Sequence, residues 1–355
     1  MREPAPDFER FRTALLRGQP DRVPIAELAV NAPVMAAFLG RPVDTLEAVV
    51  DFWLQAGYDF LTAWPGYNWN PAGIPPKEGA RSTVFRRSVY SEEPEERHWR
   101  SEKAGPITSP EDLERFVWPT KDDLNVSPIE AYHSLLPAGM RMAVVSSLHE
   151  WAAELLGTET LLLGIYDQPE LVAQVYARVG ALIVHLFAVA AEMSGVGALW
   201  VGDDLAYTEG LFFSPDFIRA HILPHYRQIA DIARAHDLPL LFHSDGDLRP
   251  ILPDLAEIGF DAIHPIEPKG MDIAEIKRDW GHRFCLLGNI DLCYTLPRGT
   301  PQEVEAEVRL RIGQAGPGGG YCVGSANSVP EYVPVANYRA MVDAAFRYGA
   351  YPLGV

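Results

Sequence analysis

Short apolar runs rich in β-branched and aromatic residues alternate along this chain with longer stretches of helical spacing, the pattern of a parallel sheet built from βα units. Eight runs predict strands: Val23–Val30, Tyr58–Trp64, Arg141–Ser147, Gly197–Leu205, Pro239–Gly246, Phe260–Glu267, Arg283–Asp291 and Gly320–Asn327. Helices are predicted between the later ones. Pro169–Met193 keeps helical spacing after the acidic start Asp167-Gln168-Pro169-Glu170, and a helix N-terminus favours negative charge. Ser214 and Pro215 are the residue types of an N-cap and a first helical position, and Thr300-Pro301-Gln302-Glu303 repeats the device before Val304–Gln314. Eight strands with helical crossovers fit a closed (β/α)8 TIM barrel, an α/β fold, better than a doubly wound open sheet. The whole chain, 1–355, is expected to be one such domain.

The chain departs from a minimal barrel at 65–139, a long excursion between strands two and three. It is rich in Pro, Glu, Asp and Arg, with a strand-like patch at Ser82–Tyr90 and a charged run at Ser91–Lys103. Loops that long inside compact domains are commonly functional. The excursion is either part of a lid over the barrel mouth or a solvated decoration.

In such a barrel the chemistry sits where strands end and βα loops begin. Here the apolar runs turn polar at that end. Strand one runs into Glu27, strand two into Trp64-Pro65-Gly66-Tyr67-Asn68-Trp69, and strand three into His149-Glu150. Strand four ends in Asp203-Asp204, strand five in His243-Ser244-Asp245, and strand six in His264-Pro265-Ile266-Glu267. Strands seven and eight end in Asn289-Ile290-Asp291 and Ser325-Ala326-Asn327. Burying such groups without partners is costly, so a ligand or a metal is the economical explanation.

His243 and Asp245 form the sharpest pair, because residues two apart on a strand share a face. They would present an imidazole and a carboxylate to one divalent metal ion, possible identities including zinc, or work as a proton-transfer pair. The alternative is a buried histidine oriented by Asp245 with no metal. Glu267 is the third candidate for the catalytic and metal-ligating set. The candidate substrate-binding residues are Glu27, Trp64, Tyr67, Asp204, Asn289 and Asp291. Trp64, Tyr67 and Trp69 offer an apolar or cation-binding wall, unless they only pack their loop. Of the adjacent Asp203 and Asp204 one can point inward, leaving the other to cap or solvate the following loop. The glycine run 316–320 precedes strand eight and follows a helix, so it is a turn at the opposite face. G-x-S-x-G, P-loop and H-E-x-x-H patterns are absent.

Composition narrows the partners. With 48% hydrophobic residues the chain can bury a large core. Asp and Glu outnumber Lys and Arg by 48 to 30, and a net charge of −18 repels phosphate backbones and anionic lipid. The expected partner is a small-molecule substrate, with no nucleic acid and no membrane. Cys285, Cys293 and Cys322 form no close pair in sequence, which argues against a disulfide framework or a thiolate zinc knuckle. Met1–Arg17 has no apolar core of a secretory signal, and Val179–Ala191 is interrupted by His185 and falls short of a membrane span. A cytoplasmic location is expected.

Several stretches resemble the uroporphyrinogen decarboxylase superfamily: Ser214-Pro215-Asp216-Phe217, Phe242–Leu255, Met271–Lys277, Gly288-Asn289-Ile290-Asp291 and Gly316–Tyr321. Ala14–Pro24 and Ser109-Pro110-Glu111-Asp112-Leu113 resemble its methyltransferase-like branch in particular. The resemblance implies a TIM barrel and either porphyrin-precursor decarboxylation or corrinoid-linked methyl transfer. Decarboxylases of the family carry arginines after strand one and a late histidine after strand eight. This chain has Glu27-Leu28-Ala29-Val30-Asn31-Ala32-Pro33 and Ser325-Ala326-Asn327-Ser328 there, so it is not expected to be a true uroporphyrinogen decarboxylase. Zinc-thiolate methyltransferases of the family use His-x-Cys at strand five, where this chain has His243 and Asp245. The replacement of sulfur by oxygen points to a harder metal site and away from a thiol acceptor. The resemblance thus implies a corrinoid-linked methyltransferase for a small O- or N-methylated substrate, a corrinoid on a separate protein as methyl carrier, and a homodimer. The alternatives are a decarboxylase or lyase of a small carboxylic acid without corrinoid, and a non-catalytic ligand-binding barrel.

Overall fold

In the computed structural model, which describes residues 5–69 and 105–354, seven of the eight predicted runs form strands of one parallel sheet. In chain order the strands are β1 Phe60–Ala63, β2 Arg141–Ser146, β3 Val196–Gly202, the two-residue β4 Ala206–Tyr207 and β5 Gly210–Leu211, β6 Leu240–His243, β7 Ala262–His264, β8 Cys285–Ile290 and β9 Tyr321–Ser325. The large sheet runs β1-β2-β3-β6-β7-β8-β9, with every neighbouring pair parallel. The unpredicted β4 and β5 make a small antiparallel hairpin after β3. The fold is a TIM barrel in which the buried Trp200 meets His264 on the inner face of the sheet, while Phe242 packs on the outer face against Tyr226 of helix Leu223–Ala235.

The predicted first strand, Val23–Val30, does not form as a continuous strand. It lies beside β9 through isolated parallel bridges, Ile25 to Val323 and Val30 to Val329. Ala26 N donates to the Val323 carbonyl and Val323 N to that of Pro24, while Pro24 itself has no N–H to give. Gly324 permits this approach, since a Cβ there would lie 2.0 Å from the Ala26 oxygen. The segment still occupies a strand position next to β9 and carries Glu27 into the barrel.

The helices follow their end signals. Ser214 Oγ accepts from Phe217 N at 3.2 Å, and Thr300 and Glu303 form a reciprocal capping box at the start of helix Pro301–Ala315. Helix Pro169–Glu192 is long and apolar enough to cross a membrane by length and composition. Its apolar face, including Val175, Val179, Ile183 and Phe187, is buried, and it packs against helices His149–Leu156 and Leu223–Ala235. Within the excursion, Gly66 bridges Asn125 and short helices form at Pro110–Arg115 and Ser127–His133. The strand-like patch Ser82–Tyr90 and the run Ser91–Lys103 lie outside the described residues.

Asp203, just past β3, does the capping expected of one member of its pair. Fully buried, it accepts from Leu148 N and Glu150 N at 3.1 Å each and from the Tyr226 hydroxyl at 2.6 Å. It thereby fastens the start of helix His149–Leu156 to the end of β3. Burial raises its pKa to about 6 in spite of these donors. Asp203→Ala orphans all three donors and is expected to destabilise the fold by about 3 kcal/mol or more, measured by denaturant unfolding. A change below about 0.5 kcal/mol would contradict this role.

Candidate functional site

His243 ends β6 and His264 ends β7, and the parallel register sets them directly opposite each other. Their Nδ1 atoms are 2.7 Å apart, and their ring centroids 5.0 Å. His243 turns its other nitrogen, Nε2, toward Asp204 Oδ1 at 3.5 Å. That same carboxylate oxygen accepts from Asp245 N at 3.1 Å. Asp245 Oδ2 accepts from Asn327 Nδ2 at 2.5 Å, whereas its Oδ1 is buried without a hydrogen-bond partner among the described residues. One ligand atom each from Asp204, His243 and Asp245 lie within 4.8 Å of one another.

The group differs from the predicted set in its third member. Glu267 does not join it; its Oε2 accepts from Gly246 N at 2.9 Å and braces the loop that carries Asp245. Asp204, expected to bind substrate, stands in its place. Gly246 is in the left-handed region (φ +83°), and a Cβ there would come within 2.5 Å of the Tyr207 backbone, so β4 packs directly over this turn. β6 ends at His243, so strand alternation does not place Asp245; its bonds to Asp204 and Asn327 do.

Burial and neighbouring carboxylates push the Asp245 pKa up to about 8, burial first, then Asp204 and Glu267, against the opposing donation from Asn327. Burial lowers the pKa of His243, with Asp204 opposing, and burial and His243 together hold His264 well below the usual histidine range. At neutral pH the site therefore holds neutral imidazoles and a protonated Asp245. A bound cation reverses that preference. One imidazole nitrogen and two carboxylates, one with an unpartnered buried oxygen, fit a divalent metal with a taste for nitrogen and oxygen donors.

The other predicted residues divide. Glu27 is fully buried and faces β9, accepting from Ser325 N and Ser325 Oγ at 2.6 Å each. Burial raises its pKa to about 8. Ser325 Oγ is also 2.7 Å from the Asn327 carbonyl, and its single proton satisfies both contacts only if a neutral Glu27 supplies a proton of its own. A folded-state pKa above the unfolded carboxyl value means that stability is fully present below about pH 4 and lost as pH rises through about 8. Glu27→Gln keeps the shape and the donor without the titration. It is expected to melt with wild type near pH 5 and above it at pH 9, and parallel melting curves at both would contradict the assignment.

Trp64 is 46% exposed, with Nε1 donating to Thr62 Oγ1 at 3.3 Å. Tyr67 is buried, its pKa raised to about 12 by burial and Asp123, and its ring meets Trp69 edge to face, which in turn stacks on Trp151. Asn289 donates to the Ile266 carbonyl at 3.0 Å and keeps Oδ1 buried without a partner among the described residues. The Asp291 carboxylate accepts from the backbone amides of Cys293, Tyr294 and Thr295, so it is engaged in shaping its own loop. His264 and Asn327 were not among the predicted site residues. Both lie at strand ends where an apolar run turns polar, and the β6–β7 register was the missing signal for His264.

Residues 106–348 match the family model of uroporphyrinogen decarboxylase (URO-D). The chain belongs to the URO-D family. Its relatives in this family include both decarboxylases and methyltransferases. It is 27% identical over 184 residues to the uroporphyrinogen decarboxylase of Chlorobium luteolum, covering 50% of each chain. It is 27% identical over 157 residues to the methylcobamide:CoM methyltransferase MtaA of Methanosarcina barkeri, covering 44% of this chain and 43% of that one. To the methylated-thiol–coenzyme M methyltransferase of Methanosarcina mazei it is 25% identical over 252 residues, or 67% and 62% of the two chains. The matches to the decarboxylases and MtaA thus span about half the length of those relatives. A solved methyltransferase structure from Methanosarcina mazei superposes with a TM-score of 0.69 at 17% identity, over 96% of this chain and 98% of the other, and shares the URO-D fold.

Proposed function

We propose that this URO-D family member removes a methyl group from a small O- or N-methylated compound and passes it to a corrinoid carried by a separate protein. The observation that carries the reading is the convergence of Asp204, His243 and Asp245 at the strand ends. Breaking a methyl C–O or C–N bond leaves an electron pair on the departing oxygen or nitrogen, and that atom needs a positive charge or a proton. A divalent metal held by His243 Nε2 and the two carboxylates would supply Lewis-acid help there when bound. Asp204 orients the Asp245 backbone through its amide, and Asn327 holds one Asp245 oxygen, leaving the other free for cation or proton. Glu267 keeps the local field negative, which favours cations and disfavours a polycarboxylate substrate. The relatives whose names include methylcobamide or methylated thiol support methyl chemistry on this fold.

The test is an anaerobic incubation of the metal-loaded protein with reduced cobalamin and a panel of methyl ethers and methylamines, followed by the visible spectrum. Conversion to methylcobalamin with at least one donor is expected. A spectrum unchanged with every donor would tell against methyl transfer. One observation favours a second reading, a decarboxylase or lyase of a small acid: a protonated Asp245 at neutral pH is equipped to deliver a proton to a carbanion. Carbon dioxide release from small acids by metal-free protein would select that reading.

A further inference from the structure

His243 is the hub of the site, and the group that holds it is another imidazole. We propose that His264 is a positioning residue, whose Nδ1 fixes the ring orientation and tautomer of His243 so that His243 Nε2 is presented to the space between Asp204 and Asp245. The inference rests on the reading of that space as a cation site.

The two Nδ1 atoms are 2.7 Å apart. At that distance two bare lone pairs repel, and so do two N–H groups, so a single proton lies between them. Two arrangements remain. Either His243 donates, leaving its Nε2 bare as a ligand atom, or His264 donates, leaving His243 Nε2 protonated and facing Asp204 Oδ1 at 3.5 Å. In both, the shared bond aims Nε2 of His243 at the carboxylates, and a cation arriving there selects the first.

His264 is well placed for this because its surroundings enclose it. It is fully buried, its ring stands perpendicular to Trp200 with centroids 5.2 Å apart, and its carbonyl accepts from Ser244 N at 3.1 Å. Metal-bound histidines usually donate their second nitrogen to a carboxylate, a carbonyl or water. Here a carboxylate in that position would add another negative charge beside Asp204, Asp245 and Glu267. A neutral imidazole orients the ring without that charge.

Two measurements on the full-length protein test the assignment. Nitrogen-15 spectra of the wild-type imidazole rings should show a through-hydrogen-bond coupling between the two Nδ1 atoms. Its absence overturns the proposal, with no variant needed. Titration with Co²⁺, followed by its visible absorption, should show affinity falling about 10–100-fold in His264→Leu. His264→Asn, whose amide places a polar atom where Nδ1 stood, should recover most of the loss. Wild-type affinity in a folded His264→Leu protein overturns the proposal. If wild type binds no Co²⁺, the cation reading fails separately, and the nitrogen coupling alone decides whether His264 sets the His243 tautomer.

Discussion

If the protein transfers methyl groups as proposed, His243→Ala is expected to lower that rate about 10²–10⁴-fold, the range over which a positioned acid–base or Lewis-acid-holding group contributes. The loss comes from chemistry more than from folding. His243 contributes the single nitrogen ligand of the group and its Nε2 is turned to Asp204, so removing it leaves only the carboxyl groups of Asp204 and Asp245 to hold a cation or pass a proton there. Folding suffers less. The variant orphans His264 Nδ1, a penalty of about 1–3 kcal/mol for one buried polar group. Initial rates with the best methyl donor, read beside thermal melting at the same pH, separate the two effects. A rate within about threefold of wild type would remove His243 from the mechanism.

The second large effect concerns pH. Asp245 has its pKa raised to about 8, and a carboxyl must lose its proton to bind a metal. Well below that value, affinity should fall tenfold per pH unit, which amounts to about 50-fold between pH 8 and pH 6. The sign follows from the cause: burial and the charges of Asp204 and Glu267 hold the proton on, so acid competes with the cation. Glu267→Gln removes one of those charges without touching a ligand of the group, and should shift the curve toward acid. Calorimetric titration with Zn²⁺ across this pH range would show it. A flat profile, or a curve unmoved by Glu267→Gln, would mean that Asp245 does not bind the ion.

Much of the fold was legible because its strands are buried on both faces and so appear as apolar runs. Seven of the eight runs form β1, β2, β3, β6, β7, β8 and β9. The first run fails as a strand where Pro24 withholds an amide, although Ile25 and Val30 still reach β9 and its neighbour Val329. The site was legible in kind and partly in membership. His243 and Asp245 stand out because polar residues interrupt apolar runs at one end of the barrel. Their partners depend on the path taken after each strand stops, which periodicity does not encode. Asp204 therefore displaces Glu267 from the group, and Glu267 instead anchors Gly246. His264 escapes a reading along its own strand, because its contact with His243 runs across the register of two strands. Glu27 looks like a site carboxylate in sequence, but Ser325 engages both of its oxygens.

Anomalous diffraction from a crystal soaked in Zn²⁺ addresses the core of the account most directly. A single ion is expected about 2.0–2.2 Å from the Nε2 atom at position 243 and from one oxygen each at 204 and 245. Density free of any ion there, with that nitrogen hydrogen-bonded to the carboxylate at 204, would contradict it.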